Sequence, residues 1–284
     1  MSPRLQIALG LLRIATGISL LGPGLNKLGW FAHPALEPIL ANWAQHAPNG
    51  MVVRYLHLVA PYHAGLARIV AVGELGLGTL LVLGFFTPVA AGIALFMVAQ
   101  FHFASGAMFQ GSYLMGQNGL VYLLIFLVLV TGRAGVALGL LRIAAGISLL
   151  GPGLSKLGWF AHPQLESILA NWAQHAPNGL VHGYLHFLLP HHAGLARLAA
   201  LGELGLGTLL ILGFFTPVAA VLAFVMVAQF HFASGAMFQE NYLIGQNGLV
   251  YLLIFPVLLL GQAGVGLGLD GILGRSMRSS ARPL

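Results

Sequence analysis

The fourteen letters of Met97–Gln110, MVAQFHFASGAMFQ, occur again without change at Met226–Gln239. Leu9–Gly50 recurs with few changes at Leu138–Gly179, at the same spacing of 129 residues. No gap is needed from Leu9 to about Gly132. Such a chain must build one folded unit twice, since near-identical sequences present near-identical faces for burial. The match covers a whole multi-helix unit, which indicates duplication and not a stack of short repeats.

What the unit contains decides its solvent. Apolar runs at helix length include Leu5–Leu21, Val89–Phe101 and Val121–Val130. A bilayer-crossing helix needs roughly 20 mostly apolar residues. Only 6% of the chain is charged and 58% is hydrophobic, against about 25% charged in a soluble domain. Each half reads as four spans. They are Leu5–Gly24, His63–Gly84, Pro88–Ala104 and Gln117–Gly132, then Val136–Gly153, His192–Gly213, Pro217–Ala233 and Gln246–Gly261. The first run has the look of a signal peptide, but its copy at Ala137–Leu150 lies mid-chain, so a span is expected.

The expected fold is therefore an all-α integral membrane protein of eight transmembrane helices. Two four-helix bundles would be related by a pseudo-two-fold axis along the membrane normal, because four spans per copy leave both copies with the same direction. The expected divisions are 1–133, 134–270 and a basic tail, 271–284. Gly84-Phe-Phe-Thr-Pro88 and Gly213-Phe-Phe-Thr-Pro217 are expected to be tight turns, Gly ending one helix and Pro starting the next. The polar, Pro-broken Lys27–Tyr62 segment is too irregular to cross, and Leu36–Trp43 reads as a short interfacial helix. Arg4, Arg133, Arg275, Arg278 and Arg282 crowd the end that holds both termini. By the positive-inside rule that end is cytoplasmic, in the cell's inner membrane. The net charge of +6 thus reads as topology signals and anionic-lipid contacts, not as a nucleic-acid surface.

Ionisable residues inside spans suggest function by default. Arg13 is expected about 12 Å and Glu74 about 15 Å from the inner surface at 1.5 Å per residue. Arg13–Glu74 and Arg142–Glu203 are therefore expected ion pairs, with a pinning role for the helices weighed against proton handling. A second polar layer is expected at the outer ends: Lys27, Arg68, Gln100, His102, Gln117 and Asn118, with copies Lys156, Arg197, Gln229, His231, Gln246 and Asn247. Two cations, an imidazole and three amides could hold a small oxyanion or a quinone carbonyl. Helix-end snorkelling explains Lys27 equally simply. The chain has no cysteine, so thiolate chemistry and cysteine–zinc sites are excluded. Twelve histidines show no HExxH-type spacing, and no metal is predicted. A bis-histidine haem leaves no short motif and stays open.

At these residues the chain resembles the DoxX/DoxD-like membrane family. The resemblance rests on Arg13 followed by Gly22-Pro-Gly-Leu-Asn-Lys27, Gly73-Glu74-Leu-Gly-Leu-Gly78 and Leu83-Gly-Phe-Phe-Thr-Pro88. It continues through Phe101-His102-Phe103 and Gly116-Gln-Asn-Gly119, and the second copy repeats the order. It implies oxidation of thiosulfate, or a similar reduced sulfur anion, at the outer face with electrons passed to membrane quinone. His102, His231, Glu74 and Glu203 would serve catalysis. Lys27, Arg68, Gln117, Asn118 and their copies would bind substrate. The family unit is one four-helix module where this chain fuses two, and the companion subunit found with DoxD is not part of this chain. A non-catalytic subunit of a redox complex and a small-anion transporter are the competing expectations.

Overall fold

The computed structural model describes residues 3–116, 119–132, 135–245, 248–265 and 267–272. Among them every regular element is a helix. The first half contains α1 (Pro3–Asn26), α2 (Glu37–Gln45), α3 (Gly50–Val59), α4 (His63–Leu83), α5 (Thr87–Ala104), α6 (Ser112–Met115) and α7 (Leu120–Thr131). The second repeats the series as α8 (Val136–Ser155), α9 (Leu165–Gln174), α10 (Gly179–Leu188), α11 (His192–Leu212), α12 (Thr216–Ala233), α13 (Asn241–Ile244) and α14 (Leu249–Leu260).

Among the described residues six helical stretches are long and apolar enough to cross a membrane: those of α1, α4, α5, α8, α11 and α12. The fourth expected span of each half is a helix of 12 described residues, α7 or α14, about 18 Å long at 1.5 Å per residue. Lipid-facing apolar side chains mark the outside of the bundle. Ile69 is 67% exposed, Ile93 53% and Phe96 66%, a face that water would not tolerate and a bilayer favours. The Lys27–Tyr62 segment holds two short helices instead of the one expected. α2 and α3 follow one another, and Asn49 caps α3 by accepting from Met51 N and Val52 N at 3.1 Å each.

Small residues set the closest helix crossing. A Cβ on Gly17 of α1 would lie 2.8 Å from the Gly78 carbonyl oxygen, and one on Gly78 would lie 2.8 Å from that of Gly17. Gly24 meets Glu74 and Leu75 in the same seam. Gly146, Gly207 and Gly153 repeat the arrangement between α8 and α11. Close backbone approach of this kind is how helices gain packing energy in lipid, where burial from water drives nothing. The expected turns are present: Gly84 ends α4 at φ +82° and Gly213 ends α11 at φ +67°.

The helices close into a cycle. α1 packs on α4, α4 on α5 and α5 on α7, while α7 packs across on α8 of the second half. α8, α11, α12 and α14 repeat the path, and α14 returns to α1. One apolar core runs through both halves, with Leu12, Tyr122, Phe126, Leu141, Tyr251 and Phe255 at 1% exposure or less. The short outer helices cross the same boundary. α13 brings Ile244 against Gly22, and α6 brings Met115 against Gly151. In Gly22-Pro23-Gly24 one glycine therefore admits the other half and the next admits α4.

Candidate functional site

The register of α1 against α4 corrects the expected ion pairs. Arg13 lies against Gly84, at the end of α4, ten residues and about 15 Å along the helix from Glu74. Glu74 pairs instead with Lys27, whose Nζ donates to both carboxylate oxygens at 2.7 and 2.6 Å. Lys156 and Glu203 pair at 2.5 Å. Counting residues from helix ends gave Arg13 and Glu74 similar depths. The glycine seam slides α1 so that its final turn, not its middle, faces Glu74. Arg142 also lies at the opposite end, and its Nη2 donates to the Leu267 carbonyl at 2.8 Å.

The Lys27–Glu74 pair is nearly dry, with the lysine side chain 22% and the glutamate 6% exposed. Trp30 and Trp159 each place a ring 5.5 Å from the lysine ammonium, a cation–π contact that covers it. The pairs differ in detail. Both oxygens of Glu74 are bonded, whereas Glu203 Oε2 has no partner among the described residues. Deeper in the core, Ser19 and the Tyr122 hydroxyl share a hydrogen bond of 2.8 Å, as do Ser148 and Tyr251.

The rest of the expected polar layer is dispersed. Arg68 and Arg197 are exposed, and their Nε atoms donate to the Phe31 and Phe160 carbonyls at 3.2 and 3.1 Å. His102 Nδ1 shares a 3.0 Å hydrogen bond with the Tyr113 hydroxyl, and His231 repeats it with Tyr242 at 3.1 Å. Burial pushes the Tyr113 phenol up to about 12, so it stays protonated at neutral pH. Gln117, Asn118, Gln246 and Asn247 lie outside the described residues. No three His, Asp or Glu side chains converge as a metal site among the described residues.

What the residue pattern did not reveal is a cavity beneath the short helices. In the first half about 490 Å³ opens between α4 and α5 under α2 and α3. Its wall is apolar, and Ile69, Ile93 and Phe96 at its margin face the lipid. The polar groups are Gln100, Tyr55 and Trp43. Tyr55 donates to Gln100 Oε1 at 2.7 Å. A matching cavity of about 320 Å³ in the second half is lined by Trp172, Gln229 and Phe230, and Gln229 donates to Tyr184 at 2.8 Å. Phe230 also lies 5.9 Å from Lys156 Nζ, so one ring separates the cavity from the buried ion pair. The cavity was hidden because its lining comes from four segments, and only Trp43 and Gln100 stood out in the sequence.

A family model described as DoxX matches residues 8–106 and again residues 137–234. No curated protein and no solved structure matches the chain.

Proposed function

Because this chain belongs to the DoxX family of membrane proteins, we propose that it is a redox protein that reduces membrane quinone. The cavity between α4 and α5 carries this reading. It is apolar, open to lipid at Ile69 and Ile93, and supplied with hydrogen-bonding groups at Gln100, Tyr55 and Trp43. A quinone ring needs donors for its carbonyls and a dry, shaped wall for its body.

The electron donor is a small reduced sulfur anion, thiosulfate first among them. Two thiosulfate dianions joining through a sulfur–sulfur bond release two electrons. The quinone takes these with two protons to become quinol. Glu203, behind Phe230, and its counterpart Glu74 are the carboxyl groups that would exchange these protons. His102 and His231 stand at the outer ends of α5 and α12. Both termini face the cytoplasm, which places α2, α3 and the sulfur anion on the outer side.

One observation favours a second reading, a non-catalytic subunit of a redox complex. Lys27 and Lys156 are neutralised by Glu74 and Glu203, which leaves Arg54, Arg68 and Arg197 as the cations at this end with no carboxylate partner among the described residues. The test uses purified protein in lipid nanodiscs with thiosulfate and a short-chain quinone, read as quinol formation. Turnover lost in Gln100→Leu with Gln229→Leu supports the enzyme. Quinone bound without turnover supports the subunit, and neither binding nor turnover overturns both.

A further inference from the structure

The α4–α5 and α11–α12 turns carry the same five letters, yet their helix ends are satisfied differently. In the second half the chain beyond α14 folds back over the turn. Asp270 Oδ1 accepts from Phe215 N and Oδ2 from Thr216 N, each at 2.9 Å. The Asp270 backbone N donates to the Gly213 carbonyl at 2.9 Å. The same stretch supplies the Leu267 carbonyl that Arg142 binds. An oxyanion thus sits at the N-terminus of the 18-residue helix α12, beside an arginine.

The first half has the same donors and no such cover. The constant spacing puts Leu141 where the second half has Asp270, and Leu141 is fully buried inside α8. Arg13 takes the same place against Gly84 that Arg142 takes against Gly213. Among the described residues no loop or side-chain acceptor meets Phe86 N or Thr87 N, and Arg13 Nε has no partner, as Arg142 Nε has none in the second half.

We infer that this end of the first half binds the phosphate of an acidic membrane lipid, in the place that the Asp270 carboxylate fills in the second. Unpaired N–H groups and the helix dipole favour an anion at the start of α5. The planar guanidinium of Arg13 suits two phosphate oxygens at once. The site lies at a bundle end, where head groups lie, and Phe85 and Phe86 stand 61% and 76% exposed beside it as an apolar seat for lipid chains. The inference does not depend on the redox reading or on which membrane face this end occupies.

The test compares phosphatidylcholine nanodiscs with and without phosphatidylglycerol. Native mass spectrometry counts retained lipid, and thermal unfolding reads stabilisation. Wild type should retain one phosphatidylglycerol and unfold at a higher temperature with it. Arg13→Gln should weaken retention by about tenfold or more, the loss of one charge-assisted hydrogen bond. Arg13→Lys, which keeps the charge and loses the fork, should fall between them if the first variant does not accumulate. Arg142→Gln should leave retention unchanged, because Asp270 already occupies its site. Equal retention in wild type and both Arg13 variants, or equal losses from Arg13→Gln and Arg142→Gln, overturns the proposal. Full stabilisation by inorganic phosphate in neutral nanodiscs overturns the lipid as its source.

Discussion

Lys27 reaches back from the end of α1 to hold both carboxylate oxygens of Glu74, at 2.7 and 2.6 Å. The contact ties α1 to α4 in a nearly dry seam. Removing one partner of a buried pair leaves an uncompensated charge and costs about 3–5 kcal/mol. Lys27→Met is therefore expected to lower the unfolding temperature in detergent sharply. Lys27→Met with Glu74→Leu should recover much of the loss, while Arg13→Leu with Glu74→Leu should not. Recovery by the Arg13 double variant instead would contradict the observed pairing.

The glycine seam gives a prediction that needs no charge. Gly78→Ala would push a methyl to 2.8 Å from the Gly17 carbonyl oxygen, so α1 and α4 must separate and the protein should lose stability. Gly76, two residues earlier, has nothing within 4 Å of the place its Cβ would take. Gly76→Ala should be neutral or stabilising by up to about 1 kcal/mol through helix propensity. Thermal unfolding of the two variants side by side checks this, and equal losses would remove the seam from the account.

Trp43 and Trp172 line the two cavities, which makes occupancy readable by fluorescence. Added short-chain quinone should quench the emission of both. Trp43→Phe should leave the Trp172 signal, with its own concentration dependence. Gln100→Leu should weaken quenching in the first half about 3–10-fold, the worth of one ordinary hydrogen bond. Quenching that is unchanged by either substitution would place the quinone elsewhere.

Orientation is checked by labelling. Gln45 in α2 and Phe85 in the α4–α5 turn lie at opposite ends of α4 and both reach the surface. A cysteine at Gln45 should react with an impermeant reagent from outside intact cells, and one at Phe85 should react only after permeabilisation. The reverse result would move the cavities' roofed ends to the cytoplasmic side.

Asp270 caps α12 through two backbone N–H groups. Asp270→Ala should cost about 0.5–2 kcal/mol, the usual worth of an N-cap. No loss would mean that the fold-back over the second half contributes nothing to stability.

The repeat, the bilayer as solvent and the helix ends at Gly84 and Gly213 were legible in the letters alone. These features depend on local composition and on backbone conformations that few residues adopt. The DoxX membership was legible too, because its motifs are contiguous runs such as Gly73–Gly78 and Leu83–Pro88. The partner of Glu74 was not. Lys27 and Arg13 lie on the same helical path, and only the axial slide of α1 against α4 chooses between them. That slide is set where Gly17 and Gly78 let two backbones touch, a relation between distant segments. The cavity needs four segments at once, and the cover over Arg142 needs a fold-back that the first half cannot make. Tertiary structure decided these, because each depends on which surfaces meet and not on what any one stretch contains.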